Sequence, residues 1–331
     1  DKNHAFRLKE FDLPRRAIIE NNFASFPEGF GQNGWNNFVP FFGPDQVAYG
    51  NYDEVLKNEG YLCSYACGAG SHRSAGGIGT TANLFVPHDL ETVFTMNFGS
   101  YFGDWDTQDN FLRAALGSGK ILVNAWAGRP NWHFFHMAQG LHVGFSAALT
   151  QYNFIYPSGF GGRMIHAGLM GDPTLRLHMV APVKNLEAIS QDGVVELNWS
   201  ESADASLGYA IYRKSETEEN YQLLTNELDT TLFSDACLKA NTEYSYLVKA
   251  IHLESSASGS YFNSSTGMEV RASVLSSNLP SADFAIDQNW EQISLNNNSL
   301  QSDQYFWDFG DGTTSTEENP QHSYSASGMY T

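Results

Sequence analysis

Beyond residue 183 the chain alternates apolar and polar side chains one by one, and nothing else constrains its fold as tightly. The clearest runs are Val194-Val195-Glu196-Leu197-Asn198-Trp199, Gly208-Tyr209-Ala210-Ile211-Tyr212-Arg213 and Tyr244-Ser245-Tyr246-Leu247-Val248-Lys249-Ala250. A period of two puts every second side chain on one face of a strand, so each run buries one face and wets the other. Turn residues separate the runs, and strands of this kind close into a β-sandwich. After a Ser- and Asn-rich link (Ser276-Ser277-Asn278-Leu279-Pro280-Ser281), a second β pattern opens at Ala282-Asp283-Phe284.

Residues 1–180 read differently. Apolar strands at 60–66, 92–98 and 120–127 alternate with helical patterns at 109–116 and 133–149. Strands buried on both faces and joined through helices predict a mainly parallel sheet. Function in such sheets gathers at the carboxyl ends of the strands. Those ends are Cys67-Gly68-Ala69-Gly70-Ser71-His72, Gly99-Ser100-Tyr101-Phe102-Gly103-Asp104-Trp105 and Gly128-Arg129-Pro130. The expected organisation is an α/β domain over 1–180 and two all-β sandwiches over 181–276 and 281–331.

Charge narrows the partners. The net charge is −19; residues 1–180 hold 15 acidic and 12 basic side chains, and the remainder 22 and 6. So acidic a surface excludes nucleic acid, which needs Lys and Arg clusters against phosphate. No run of 18 apolar residues is present, so no membrane insertion is expected. Three cysteines, Cys63, Cys67 and Cys237, make no disulfide framework. No signal peptide is visible, and the abrupt ends at Asp1 and Thr331 read as a piece of a longer precursor. Arg15-Arg16 after Pro14 reads either as a processing site or as an exposed helix start.

Three resemblances attach to these patterns. Pro182, Trp199, the run 208–213 and the turn Leu238-Lys239-Ala240-Asn241-Thr242-Glu243-Tyr244 resemble a fibronectin type III domain with its tyrosine corner. Tyr305-Phe306-Trp307-Asp308-Phe309-Gly310-Asp311-Gly312, then Asn319-Pro320-Gln321-His322-Ser323-Tyr324, resemble a PKD domain truncated at its C-terminus. In that motif Asp308 and Asp311 read as turn-capping carboxylates rather than calcium ligands. Over about residues 55–180, Tyr65-Ala66-Cys67-Gly68-Ala69-Gly70, Gly99-Ser100-Tyr101-Phe102-Gly103-Asp104-Trp105 and Gly171-Asp172-Pro173-Thr174-Leu175 resemble the gingipain family of cysteine peptidases, which implies a caspase-like fold. The resemblance sets Ala69 where the family has its histidine and Ser100 where it has its cysteine. Alanine is no base, and serine is a weak nucleophile without one, so the resemblance implies a pseudo-enzyme.

Two classes of function follow. In the first, the domain is a non-catalytic scaffold that binds a polypeptide or a polysaccharide through Trp105, Arg129, Trp132 and His133. In the second, it is a hydrolase in which Ser100 or Cys67 attacks, His72 serves as base, and Asp104 or Asp106 orients the imidazole. His133 and His136, three apart, invite a zinc reading, but no third ligand stands at a diagnostic spacing. Gly76-Gly77-Ile78-Gly79-Thr80-Thr81 lacks the lysine of a phosphate loop, so no cofactor is expected. The modular layout predicts an exported bacterial protein, extracellular or on the cell surface.

Overall fold

The computed structural model describes residues 1–27, 29–126, 132–152, 167–275, 282–300 and 302–330. They divide into two compact units, Asp1–Pro182 with Ala203–Leu207 and Ala250–Thr266, and Val183–Ser202 with Gly208–Lys249 and Gly267–Thr331.

The first unit begins with α1 (Lys2–Arg7), β1 (Ala17–Asn21), α2 (Phe30–Phe42), β2 (Val47–Tyr49), α3 (Tyr52–Leu56) and β3 (Tyr61–Cys67). Three two-residue strands follow as a small antiparallel sheet, β4 (Gly70–Ser71), β5 (Ser74–Ala75) and β6 (Gly79–Thr80). Then come β7 (Thr92–Phe98), α4 (Phe111–Leu116), β8 (Val123–Trp126), α5 (Val143–Gln151) and β9 (Gly168–Gly171). The main sheet runs β2-β1-β3-β7-β8-β9. Every pair in it is parallel except β8–β9.

All seven residues of β3 are buried. That is why the strand reads as an unbroken apolar run: helices cover both of its faces. One side packs Ile19, Cys63, Tyr65 and Phe94 against Phe38 and Phe41 of α2; the other packs Ile18 and Ala66 with Leu56, Phe111 and Leu112. The helix expected over 133–149 is split. A 3₁₀ turn at Phe135–Gln139 ends at Gly140, whose φ of +84° stops the helix, and the His142 side chain accepts from Phe145 N to start α5. A left-handed glycine suits a helix end, and that break is invisible in the apolar periodicity.

Residues 250–266, read from sequence as sandwich, are part of the first unit. They contain the end of β15 (Thr242–Ser256) and all of β16 (Gly259–Ser264), paired from Ile251–Ser264 to Ser256–Gly259. At the hairpin tip Ala257 N donates to Phe41 O at 3.3 Å and Ser258 Oγ to Pro40 O at 2.9 Å. These are two of the last four carbonyls of α2, which have no acceptor role inside the helix. Further along, Glu254 (2% exposed) accepts from both terminal guanidinium nitrogens of Arg15 at 2.6 and 3.2 Å. Asn263 Nδ2 donates to His178 O at 3.1 Å, and the Tyr261 ring lies where a Cβ on Gly140 would sit.

In the second unit β10 (Lys184–Gln191), β11 (Val194–Ser200) and β14 (Leu232–Asp235) form one sheet. The first part of β15 pairs with β12 (Tyr209–Ser215) and β17 (Met268–Val274) in another, which β13 (Gln222–Leu228) extends. Trp199 meets Tyr209 edge-on between them at 5.3 Å. Tyr244 OH accepts from Lys239 N at 3.1 Å, the bond that defines a tyrosine corner. Partly buried Arg213 and buried Tyr246 both donate to the Asp235 carboxylate.

The last module pairs β18 (Phe284–Asn289), β19 (Gln292–Asn297) and β22 (Gln321–Ser323), beside the hairpin of β20 (Trp307–Asp308) and β21 (Thr314–Ser315). Its core is Ile293, Leu295 and Phe309, with Trp307 and Tyr324 packed against it. Gly310 and Gly312 hold φ of +74° and +88° in the connecting turn. Asp308 Oδ1 caps Gly310 N at 2.9 Å and Asp311 Oδ1 caps Thr313 N at 3.0 Å, so both carboxylates shape the turn.

Candidate functional site

β3 and β7 end level with each other, with Cys67 opposite Phe98. Gly68 N extends the pairing to Phe98 O at 3.0 Å, so Gly68-Ala69-Gly70 and Gly99-Ser100-Tyr101 leave the sheet side by side. Their contact is backbone on backbone. A Cβ on Gly70 would stand 2.5 Å from Ser100 N and O, and one on Gly68 would stand 2.1 Å from Gly76 O. Gly76 N in turn donates to Ala69 O at 2.7 Å. Ala69 and Ser100 are both exposed at this edge. Tyr101 holds φ of +67°, an uncommon conformation for a non-glycine residue, and its carbonyl accepts from Asp104 N at 3.1 Å. Gly70→Ala is expected to destabilise the first unit by about 1–3 kcal/mol, because neither backbone can move aside. Denaturant midpoints of the full chain check this, and an unchanged midpoint would refute the contact.

The residues expected to do chemistry are not joined. His72 lies in the β4–β5 turn, where its carbonyl accepts from Phe111 N at 2.7 Å. Among the described residues neither the His72 imidazole nor the Ser100 hydroxyl has a hydrogen-bond partner, so no base is bonded to Ser100. Cys67 is buried, and its Sγ donates to Asn21 Oδ1 at 3.1 Å. Burial pushes its thiol up to about 11, which leaves little thiolate near neutral pH. Its assignment as nucleophile is therefore corrected: the side chain belongs to the core. Asp104 is exposed; its main-chain carbonyl accepts from Thr107 and Asn110, and its carboxylate does not reach His72.

The binding residues separate in the same way. Trp105 is 43% exposed and rests on Gly168. With Asp104, Gly103, Trp126 and Ala167 it lines an open cavity of 360 Å³ beside the Ser100 turn. Trp126 is fixed by its indole N–H, which donates to Gly99 O at 3.0 Å. Arg113 holds the loop from behind through the carbonyls of Trp105, Thr107 and Gln108. Trp132 is not a binding residue: it is 2% exposed, stacked on Tyr65 at 5.4 Å and edge-on to Phe38. Proximity to a strand end in sequence placed it in the site; its aromatic neighbours draw it into the core.

His133 lies before the 3₁₀ turn rather than on a shared helical face with His136, and its ring is edge-on to Phe135. Burial lowers the pKa of both imidazoles, and for His133 the neighbouring His136 adds to it. No cluster of three or more metal-ligating side chains occurs among the described residues. Arg129 lies outside the described residues. Trp126 and Gly168 were missed from sequence. Trp126 could have been found as the last residue of β8, whereas Gly168 reaches the cavity only because β9 returns antiparallel beside β8.

Comparison with known proteins agrees with the last module. Residues 280–331 match the family profile of the PKD domain. Among solved structures the chain is similar to an Fn3-like protein from Clostridium thermocellum, at 19% identity over 28% of this chain and 90% of that one, with a TM-score of 0.24. It is also similar to the fn3 domain of human collagen alpha-1(XX), at 17% identity over 30% of this chain and 89% of that one, with a TM-score of 0.25. No curated protein matches the chain. No helix among the described residues is long and apolar enough to cross a membrane.

Proposed function

We propose that the first unit is a gingipain-like, caspase-like domain without the family's catalytic pair, and that it binds a polypeptide at the Ser100 edge of its sheet. The observation that carries this reading is the packing of the Ala69-Gly70 turn against the Ser100 backbone at paired strand ends, with no base bonded to the serine. The mainly parallel sheet, covered by helices on both faces, is what the resemblance requires. The fibronectin III-like and PKD modules suit an exported protein, extracellular or on the cell surface, where such modules space a head domain from its support.

The ligand follows from the cavity. Asp104 brings a carboxylate with no partner among the described residues, and Trp105 brings an exposed indole beside it. A carboxylate next to an aromatic face favours a cation, so a Lys or Arg side chain of a peptide fits better than a neutral sugar. Titration of the full chain with a library of basic, neutral and acidic peptides, and with soluble polysaccharides, tests this. Binding of basic peptides is expected to weaken about ten-fold or more in Asp104→Asn and in Trp105→Ala. Peptide cleavage that disappears in Ser100→Ala would overturn the non-catalytic reading, and preference for polysaccharide would overturn the ligand.

A further inference from the structure

A second, smaller cavity lies in the first unit, away from the Ser100 edge. It is lined by Lys9, Asp12, Arg15 and His178 together with apolar side chains such as Phe11 and Leu177, and its volume is 10 Å³. His178 is 3% exposed. Its Nδ1 faces the Tyr261 hydroxyl at 3.3 Å and the Glu254 carboxylate at 3.8 Å, while its buried Nε2 has no hydrogen-bond partner among the described residues. A buried ring nitrogen without a partner is costly whether it carries the proton or the lone pair.

We infer that this cavity is a binding site for one water molecule, anchored on His178 Nε2 and completed by the polar side chains that share its lining. The size agrees, since a space of this volume holds the centre of one water. The charge balance selects water over a halide ion. Lys9 is paired with Asp204 at 2.8 Å and Arg15 with Glu254 at 2.6 Å, and Asp12 adds a third carboxylate 3.8 Å from Lys9. Two cations against three carboxylates leave no excess positive charge for an anion.

Hydrogen-bond chemistry points the same way. If Tyr261 donates to Nδ1, then Nε2 carries the proton and needs an acceptor. If Nδ1 carries the proton, Nε2 needs a donor. Water meets either demand, whereas a halide meets only the first. The remaining hydrogen-bonding capacity of such a water goes to Lys9, Asp12 or Arg15, in line with the two to four partners usual for buried water.

The test is a crystal structure of the full chain at atomic resolution, with a second crystal grown in bromide. The expected result is one density peak about 2.7–3.2 Å from His178 Nε2 with at least one further polar partner, and no anomalous signal there. An absent peak, or a bromide signal at the site, overturns the inference. In His178→Phe the peak is expected to vanish while the flanking backbone keeps its course. A peak that persists in that variant overturns His178 as its anchor.

Discussion

Lowering the pH from 7 to 4 is expected to cost the first unit about 3 kcal/mol of stability, through His178 alone. Burial, then the Arg15 charge, holds the folded imidazole down at about 4 against the pull of Glu254; Lys9 and His252 act in the same sense as Arg15. In the unfolded chain the same group titrates near 6.5. The unfolded state therefore takes up the proton first. The stability contributed by a neutral His178 is complete above pH 6.5, falls as the pH drops, and is gone below about 4. Glu254 extends the loss to lower pH. Burial raises its carboxyl, but the Arg15 hydrogen bond and nearby His178 outweigh that and leave its pKa lowered. Amide exchange of β7 at pH 7 and pH 4, in the full chain and in His178→Gln, measures the effect. The variant should lose most of the dependence between pH 6.5 and 4. If it keeps the parent's slope, another group is responsible.

Placing a histidine and a cysteine together at the Ser100 edge is expected to create a reactive thiol. With Ala69→His and Ser100→Cys together, alkylation of the introduced thiol at pH 7 should run about ten-fold or more faster than with Ser100→Cys alone. An isolated thiol is mostly protonated at that pH, and a neighbouring imidazole shifts it to thiolate. The background is favourable, because Cys63 and Cys67 are buried and only Cys237 is exposed, so Cys237→Ser removes the competing signal. Mass-spectrometric rates for the single and double variants decide the matter. Equal rates would mean that positions 69 and 100 do not face each other, and the proposed gingipain-like reading would lose its geometric support.

What was legible in the sequence was whatever a period or a turn writes locally. β7 lies where its apolar run lies, and the tyrosine corner at Tyr244 and the Asp-Gly turns of the last module follow from residue types that suit only such conformations. What was not legible depends on contacts distant in sequence. Glu254 and Tyr261 look like ordinary outward residues of a strand, and only Arg15 and His178, more than 80 positions away, bury the first and half-bury the second. Cys67 and Trp132 looked available because each stands by a strand end. Cys67 points inward from β3, and Trp132 packs on Tyr65 and Phe38, so both belong to the core.

The clasp of Gly68 and Gly70 makes the Ser100 edge tolerant of substitution. The two loops are moulded by main chain against main chain, so their shape does not depend on which side chain sits at 69 or 100. Side chains at those two positions can therefore be exchanged while the surrounding surface keeps its shape.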